Sequence, residues 1–136
     1  AGDTDFSESV FEFLNGEPRI AALWDDLSPN QSGLVIVDSD GSNFTVTFEN
    51  VPEFLAGTGN TFTVVLSDTG DVAASYGAIS ASDGIAGVTE GGGAADPGPT
   101  DLSAAPSLSA SGTTYEQFNF GNPNDTSFLL LQYVAP

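Results

Sequence analysis

Residues 34 to 51 read "LVIVDSDGSNFTVTFENV", and their pattern decides the fold. Phe44, Val46 and Phe48 alternate with Thr45 and Thr47, a period of two that gives a strand one apolar and one wet face. The apolar run at 34–37 is joined to it across Asp40-Gly41. That dipeptide favours tight hairpin turns, because glycine takes positive φ without steric cost. The stretch predicts a β-hairpin.

The same scheme continues outward. "NTFTVVLS" (60–67) places Phe62, Val64 and Leu66 inward, and "DTGD" (68–71) turns the chain into "VAASYGAI" (72–79), a second hairpin. "GIAGV" (84–88) is a further short strand. From Thr89 to about Thr113 the composition shifts to Gly, Ala, Pro and Ser, which is loop within one domain, because "TSFLLLQYV" (126–134) is a strong last strand. That strand is apolar on both faces, Phe128, Leu130 and Val134 one way and Leu129, Leu131 and Tyr133 the other. Such a strand sits in the middle of a sheet with both faces covered, or pairs with something outside the chain. Phe118 and Phe120 alternate in "QFNFGN", and core is their expected fate. Upstream, "DTDFSESVFEFLNG" (3–16) is the one helix candidate. Asp5 or Ser7 is its cap, Val10, Phe13 and Leu14 form one face, and Asn15-Gly16 is a left-handed stop. The expectation is an all-β fold: an antiparallel β-sandwich with one short N-terminal helix and a long Gly/Ala/Pro/Ser loop, one domain over residues 1–136.

Composition narrows the function. With 40% hydrophobic residues and 10 Phe, the chain can bury a core. Its 19 acidic residues stand against one basic residue, for a net charge of −18. Such a surface repels nucleic acid and anionic lipid, whose binding rests on neutralised phosphates. The same self-repulsion favours bound cations or high salt and points to a saline or calcium-rich setting. The chain has neither Cys nor His, which removes Ser-His and Cys-His nucleophiles and zinc held by thiolate or imidazole. No apolar run approaches the ~18 residues a transmembrane helix needs.

"PRIAALWDDL" (18–27) holds the only basic residue, Arg19, and the only tryptophan, Trp24, followed by Asp25 and Asp26. Neighbours in an extended segment point to opposite faces, so the two carboxylates cannot converge on one substrate atom. One faces inward beside Trp24 and the other faces solvent. Arg19, Trp24 and Asp26 are therefore assigned to the frame of the fold, with Arg19 an ion-pair candidate. Calcium is the candidate cofactor. The "DSDGSN" turn offers Asp38, Asp40, Ser42 and Asn43 as oxygen ligands, and Glu49 falls at the twelfth position of a calcium loop. Gly41 stands fourth rather than sixth, however, and 44–48 read as strand, so a hairpin turn is preferred. "DTD" (3–5) with a distant carboxylate is a further cation candidate. Asn30, Asn43 and Asn124 open N-x-Ser/Thr sequons, which the abundance of Ser and Thr explains by chance.

Taken together, "RIAALWDDLSP", "FTVTFENV", "NTFTVVLSDTGDVAASYGAI", "GIAGVT" and the closing apolar strand resemble the nidogen-like extracellular domain of exported bacterial and archaeal proteins. The resemblance implies a β-rich module of adhesion, matrix or cell-surface proteins, without catalytic activity. It also implies two or three strands ahead of "GDTDFSES" that this sequence does not contain, which leaves a sheet edge open to β-augmentation. The expectation is a secreted, non-enzymatic structural or adhesive subunit, a homo-oligomer or polymer that self-associates by edge-strand pairing into a fibre or matrix. Its interaction residues are Phe128, Leu129, Leu130, Leu131, Tyr133 and Val134, with Phe6 in the N-terminal arm. The alternative is a calcium-assisted glycan-binding module, with Asp38 and Asp40 as ligands and Trp24, Tyr76, Tyr115 and Tyr133 as stacking platforms.

Overall fold

A computed structural model describes residues 7–105, 107–109 and 112–135. In chain order the elements are helix α1 (Val10–Asn15) and strands β1 (Arg19–Trp24), β2 (Leu34–Ser39), β3 (Asn43–Pro52), β4 (Gly59–Ser67), β5 (Val72–Tyr76), β6 (Gly84–Thr89), β7 (Ser107–Ser109), β8 (Thr114–Phe118) and β9 (Leu130–Val134). Two sheets form, one in the order β1-β6-β8 and one in the order β2-β3-β4-β5-β9-β7. All neighbours are antiparallel except β7 and β9, which run parallel. The all-β sandwich with one short helix is present.

The period-two segments become the β2-β3-β4-β5 meander. Asp40 shapes its first turn: Oδ1 accepts the N–H groups of Ser42 and Asn43 at 2.9 and 2.8 Å. These bonds fold the side chain onto its own backbone, as Asx turns do. Register between β3 and β4 shifts between Phe48 and Val51, and Asn50 takes φ 53° there. Asparagine tolerates that left-handed conformation better than branched residues do. Gly33 and Gly59 pack against this bulge, where a Cβ on either would stand 2.5 Å from Asn50.

The two sheets bury Leu23, Phe62, Ala74, Tyr76, Ala86, Phe118, Leu131 and Tyr133 between them. The Tyr76 hydroxyl donates to the Ala22 carbonyl at 2.7 Å and ties one sheet to the other. A second cluster, Phe13, Leu14, Ala21, Ile85 and Tyr115, packs α1 onto the far face of the three-stranded sheet. β6 is thus covered on both faces and buried along its whole length. Its small residues are required: at Gly87, φ 147°, a Cβ would run into the Thr114 carbonyl.

Three details differ from the sequence reading. The helix is capped by Ser9 rather than Asp5 or Ser7, its hydroxyl accepting the Glu12 N–H at 3.1 Å. Gly16 ends the helix in an extended conformation, φ −75°, and not a left-handed one. Of the two alternating phenylalanines, Phe118 is core at 1% exposure while Phe120 is fully exposed. Phe120 lies past the end of β8, in a turn closed by the Asn119–Asn122 bridge.

Candidate functional site

β2 ends the six-stranded sheet, and among the described residues no strand pairs with its outer edge. Every one of its residues is exposed. Leu34, Val35, Ile36 and Val37 stand at 60, 43, 46 and 58% exposure. An edge of about 20 Å bearing unpaired N–H and C=O groups is a template for another strand. Natural edges are blunted with lysine, proline or a bulge. β2 has none of these and carries one charge, Asp38, near its end.

The register explains why the strand is bare. Val35 pairs with Phe48 and Phe48 with Phe62; Val37 pairs with Val46 and Val46 with Val64; Ser39 pairs with Phe44 and Phe44 with Leu66. Directly paired residues share a face, so three apolar rows cross the sheet. Each row starts at or near the exposed edge and ends in the core at β4. The three-stranded sheet covers the β4 end of these rows and stops at β1. A groove of about 330 Å³ opens there between β1, Arg19 to Trp24, and the side chains of Phe48, Phe62 and Val64.

The residues singled out at 128–134 lie elsewhere. β9 pairs with β5 over residues 130–133 and with β7 over residues 132–134, so it is not a terminal strand of its sheet. Leu131 and Tyr133 are core and Leu129 packs against it, whereas Phe128, Leu130 and Val134 are exposed. The strand is central, as its composition suggested, with one face covered and one bare. Phe6 and the rest of the arm 1–6 lie outside the described residues, as does the "DTD" candidate.

Arg19 and Trp24 form part of the frame, but by stacking: the guanidinium carbon lies 4.1 Å from the centre of the Trp24 ring, a cation–π contact. Phe13 stacks on the same indole at 6.1 Å. Asp26 contributes its backbone, its carbonyl accepting the Phe54 N–H at 2.8 Å. The inward carboxylate is Asp25. Its Oδ1 accepts the Asp26 N–H at 2.6 Å, and its Oδ2 is buried without a hydrogen-bond partner.

Glu53 and Asp83 join Asp25, the three carboxylates offering oxygens all within 4.8 Å of one another. Asp25 follows β1, Glu53 follows β3 and bridges to Leu27, and Asp83 precedes β6. Burial, reinforced by the charges of Glu53, Glu8 and Asp83, pushes the Asp25 carboxyl up to about 7. Glu53 is raised as well, by desolvation and then by Asp83. A proton on Asp25 Oδ2 would give this oxygen a hydrogen to donate to the neighbouring Glu53 carboxylate. A hard cation would serve equally, since oxygens around one calcium stand at most roughly twice 2.4 Å apart. Sequence spacing gave no sign of this cluster, whose members come from three separate loops.

Of the other oxygen-ligand candidates, Asp40 and Asn43 bond to each other within the turn, Asp40 Oδ2 accepting from Asn43 Nδ2 at 3.1 Å. Bonds from the Asn43 side chain and backbone and from Ser42 hold the Asp40 carboxyl below its ordinary range. Asp38 sits on β2 opposite Thr45, on the face away from the apolar rows. The tyrosines are buried at 5, 3 and 2% exposure for Tyr76, Tyr115 and Tyr133, which removes them as stacking platforms. Burial, with help from an Asp96 contact at 2.9 Å, pushes the Tyr115 hydroxyl up to about 12.

No protein family, curated protein or solved structure matches the chain.

Proposed function

We propose that this chain is a non-enzymatic extracellular module, structural or adhesive, that assembles with further copies of itself through strand edges into a fibre or matrix. One observation carries the reading: β2 is a six-residue apolar edge strand exposed on both faces. An edge of this kind is an aggregation hazard unless a partner occupies it. The nidogen-like resemblance supports an adhesive or matrix role at the cell surface. The charge of −18 fits a saline or calcium-rich setting, in which cations screen copies that would otherwise repel.

Sedimentation velocity over a range of protein and salt concentrations, with and without calcium, tests it. Association that strengthens with salt is the expected result. A stable monomer under every condition would refute it.

A second reading, calcium-assisted binding of a glycan, draws on the Asp25, Glu53 and Asp83 carboxylates. It requires saturable sugar binding that chelation abolishes. A glycan array with and without chelator separates it from self-assembly.

A further inference from the structure

The two sheets are unequal, six strands against three, and the surplus includes β2 and β3 at one end. There the smaller sheet stops at β1, which has no second neighbouring strand among the described residues. β1 borders the groove in front of Phe48, Phe62 and Val64, so the space opposite β3 and β2 lies beside a free strand edge. At this end, among the described residues, β1 and β2 each present an edge with no strand paired to it, separated by a projecting apolar face.

We propose, keeping the self-association of the reading above but closing it into a pair instead of a fibre, that the occupant of this space is a second copy of the chain related by a two-fold axis. The β2-β3 projection of each copy lies against that of the other, and the outer edge of each β2 pairs with the β1 edge of its partner. Each layer then becomes one continuous sheet, with six strands from one copy and three from the other. Val35, Val37, Phe44 and Phe48 of one projection meet the same four residues of the other. A two-fold contact demands a surface complementary to itself. This one is: what projects from one copy is what the other copy lacks.

Charge favours a second copy over an unrelated partner. The projecting face carries Val35, Val37, Ser39, Phe44, Val46 and Phe48 and no carboxylate, while Asp38 and Glu49 alternate onto the opposite face. In a chain with 19 acidic residues and one basic residue, a charge-free face is where a like-charged copy meets the least Coulomb repulsion. A basic or acidic partner finds nothing there to recognise. The single cation, Arg19, lies on β1 at the rim of the groove.

The test is sedimentation equilibrium of the wild-type chain in about 1 M salt, where the Debye length is about 3 Å, alongside three variants. Val37→Lys alters the projecting face, Ile20→Lys alters the β1 edge, and Ser75→Lys alters the exposed far face of β5. All three positions are solvent-exposed, so circular dichroism is expected to match the wild type. The expected result is a particle of twice the 13.9 kDa chain mass that does not grow further with concentration. Val37→Lys and Ile20→Lys should each weaken it by roughly a hundredfold, because each buries an unpaired ammonium, while Ser75→Lys leaves it intact. Polymers that lengthen with concentration would overturn the two-fold arrangement and leave edge-mediated self-association standing. So would a dimer indifferent to Ile20→Lys and Val37→Lys. A monomer under all conditions, including one whose edge is covered by its own residues 1–6, would overturn both.

Discussion

Phe48 stacks on Phe62 with ring centroids 4.6 Å apart and planes 14° from parallel, and the pair straddles the line where cover ends. Phe62 is 3% exposed and belongs to the core, while Phe48 is only partly buried and looks into the groove beside β1. The same stack therefore has a dry side and a wet side. Phe62→Ala should destabilise the isolated chain by about 3–5 kcal/mol, the usual cost of emptying a core phenylalanine. Phe48→Ala should cost about half as much in dilute solution, and more where the chain is associated. Urea unfolding at low and high protein concentration reads both effects.

Asn60 is fully buried and holds three segments together. Its Nδ2 donates to the Val51 carbonyl at 3.1 Å, and its Oδ1 accepts the N–H groups of Ser80 and Ala81 at 2.8 and 2.9 Å. Asn60→Ala leaves buried donors and an acceptor without partners, each costing about 1–3 kcal/mol. A loss of about 3 kcal/mol is expected by thermal or urea unfolding. Asn60→Asp keeps the acceptor and loses the donor, so it should retain more stability than the alanine variant at low pH, where its carboxyl is neutral.

Asp25 makes stability depend on pH in an unusual direction. Its carboxyl titrates near 7 in the fold against 3.8 as a model compound, so the folded chain holds a proton that the unfolded chain has released. The stability this proton contributes is fully present below about pH 4 and is lost as pH rises through about 7. Asp25→Asn should abolish that loss. Above pH 7, without calcium, it should exceed the wild type by on the order of 1 kcal/mol, a figure kept small because the side chain is partly solvated. If the three carboxylates bind calcium, the ion should raise the wild-type melting temperature at pH 7.5 and leave Asp25→Asn unmoved. Calorimetry of both proteins at pH 5 and 7.5, with and without calcium, checks each statement. A wild-type melting temperature that climbs from pH 5 to 7.5 relative to Asp25→Asn would contradict the first.

Much of this architecture was legible where side chains alternate. Phe44, Val46 and Phe48, then Phe62, Val64 and Leu66, marked β3 and β4, and Asp40-Gly41 marked the turn before them. Legibility failed where small residues pack by shape. β6 is built from Gly, Ile, Ala, Gly, Val and Thr and reads as weak, yet it is the most enclosed strand. β7 is three residues in a Ser- and Ala-rich stretch, held by parallel pairing with β9 and by Leu108 against the core, and local sequence carries no trace of so distant a partner. The residues alone point to Phe128–Val134 as the open edge, whereas among the described residues β9 has a neighbour on each side and β2 has only one. Leu131 and Tyr133 are apolar because β9 is interior; the bare edge belongs to "LVIV", whose hairpin reading said nothing about its outer side. The carboxylate cluster is not legible in the sequence, since Asp25 stands in "WDD" while Glu53 and Asp83 lie far along the chain and only the fold brings them together.

Hydrogen–deuterium exchange followed by mass spectrometry, at low and high protein concentration, addresses the free β2 edge most directly. If neighbours complete the sheet, amides of Leu34–Ser39 and of Ile20–Trp24 that face no intrachain partner exchange freely in dilute protein and become protected together on concentration. Protection of those amides that is already full at the lowest concentration, or absent at the highest, would contradict it.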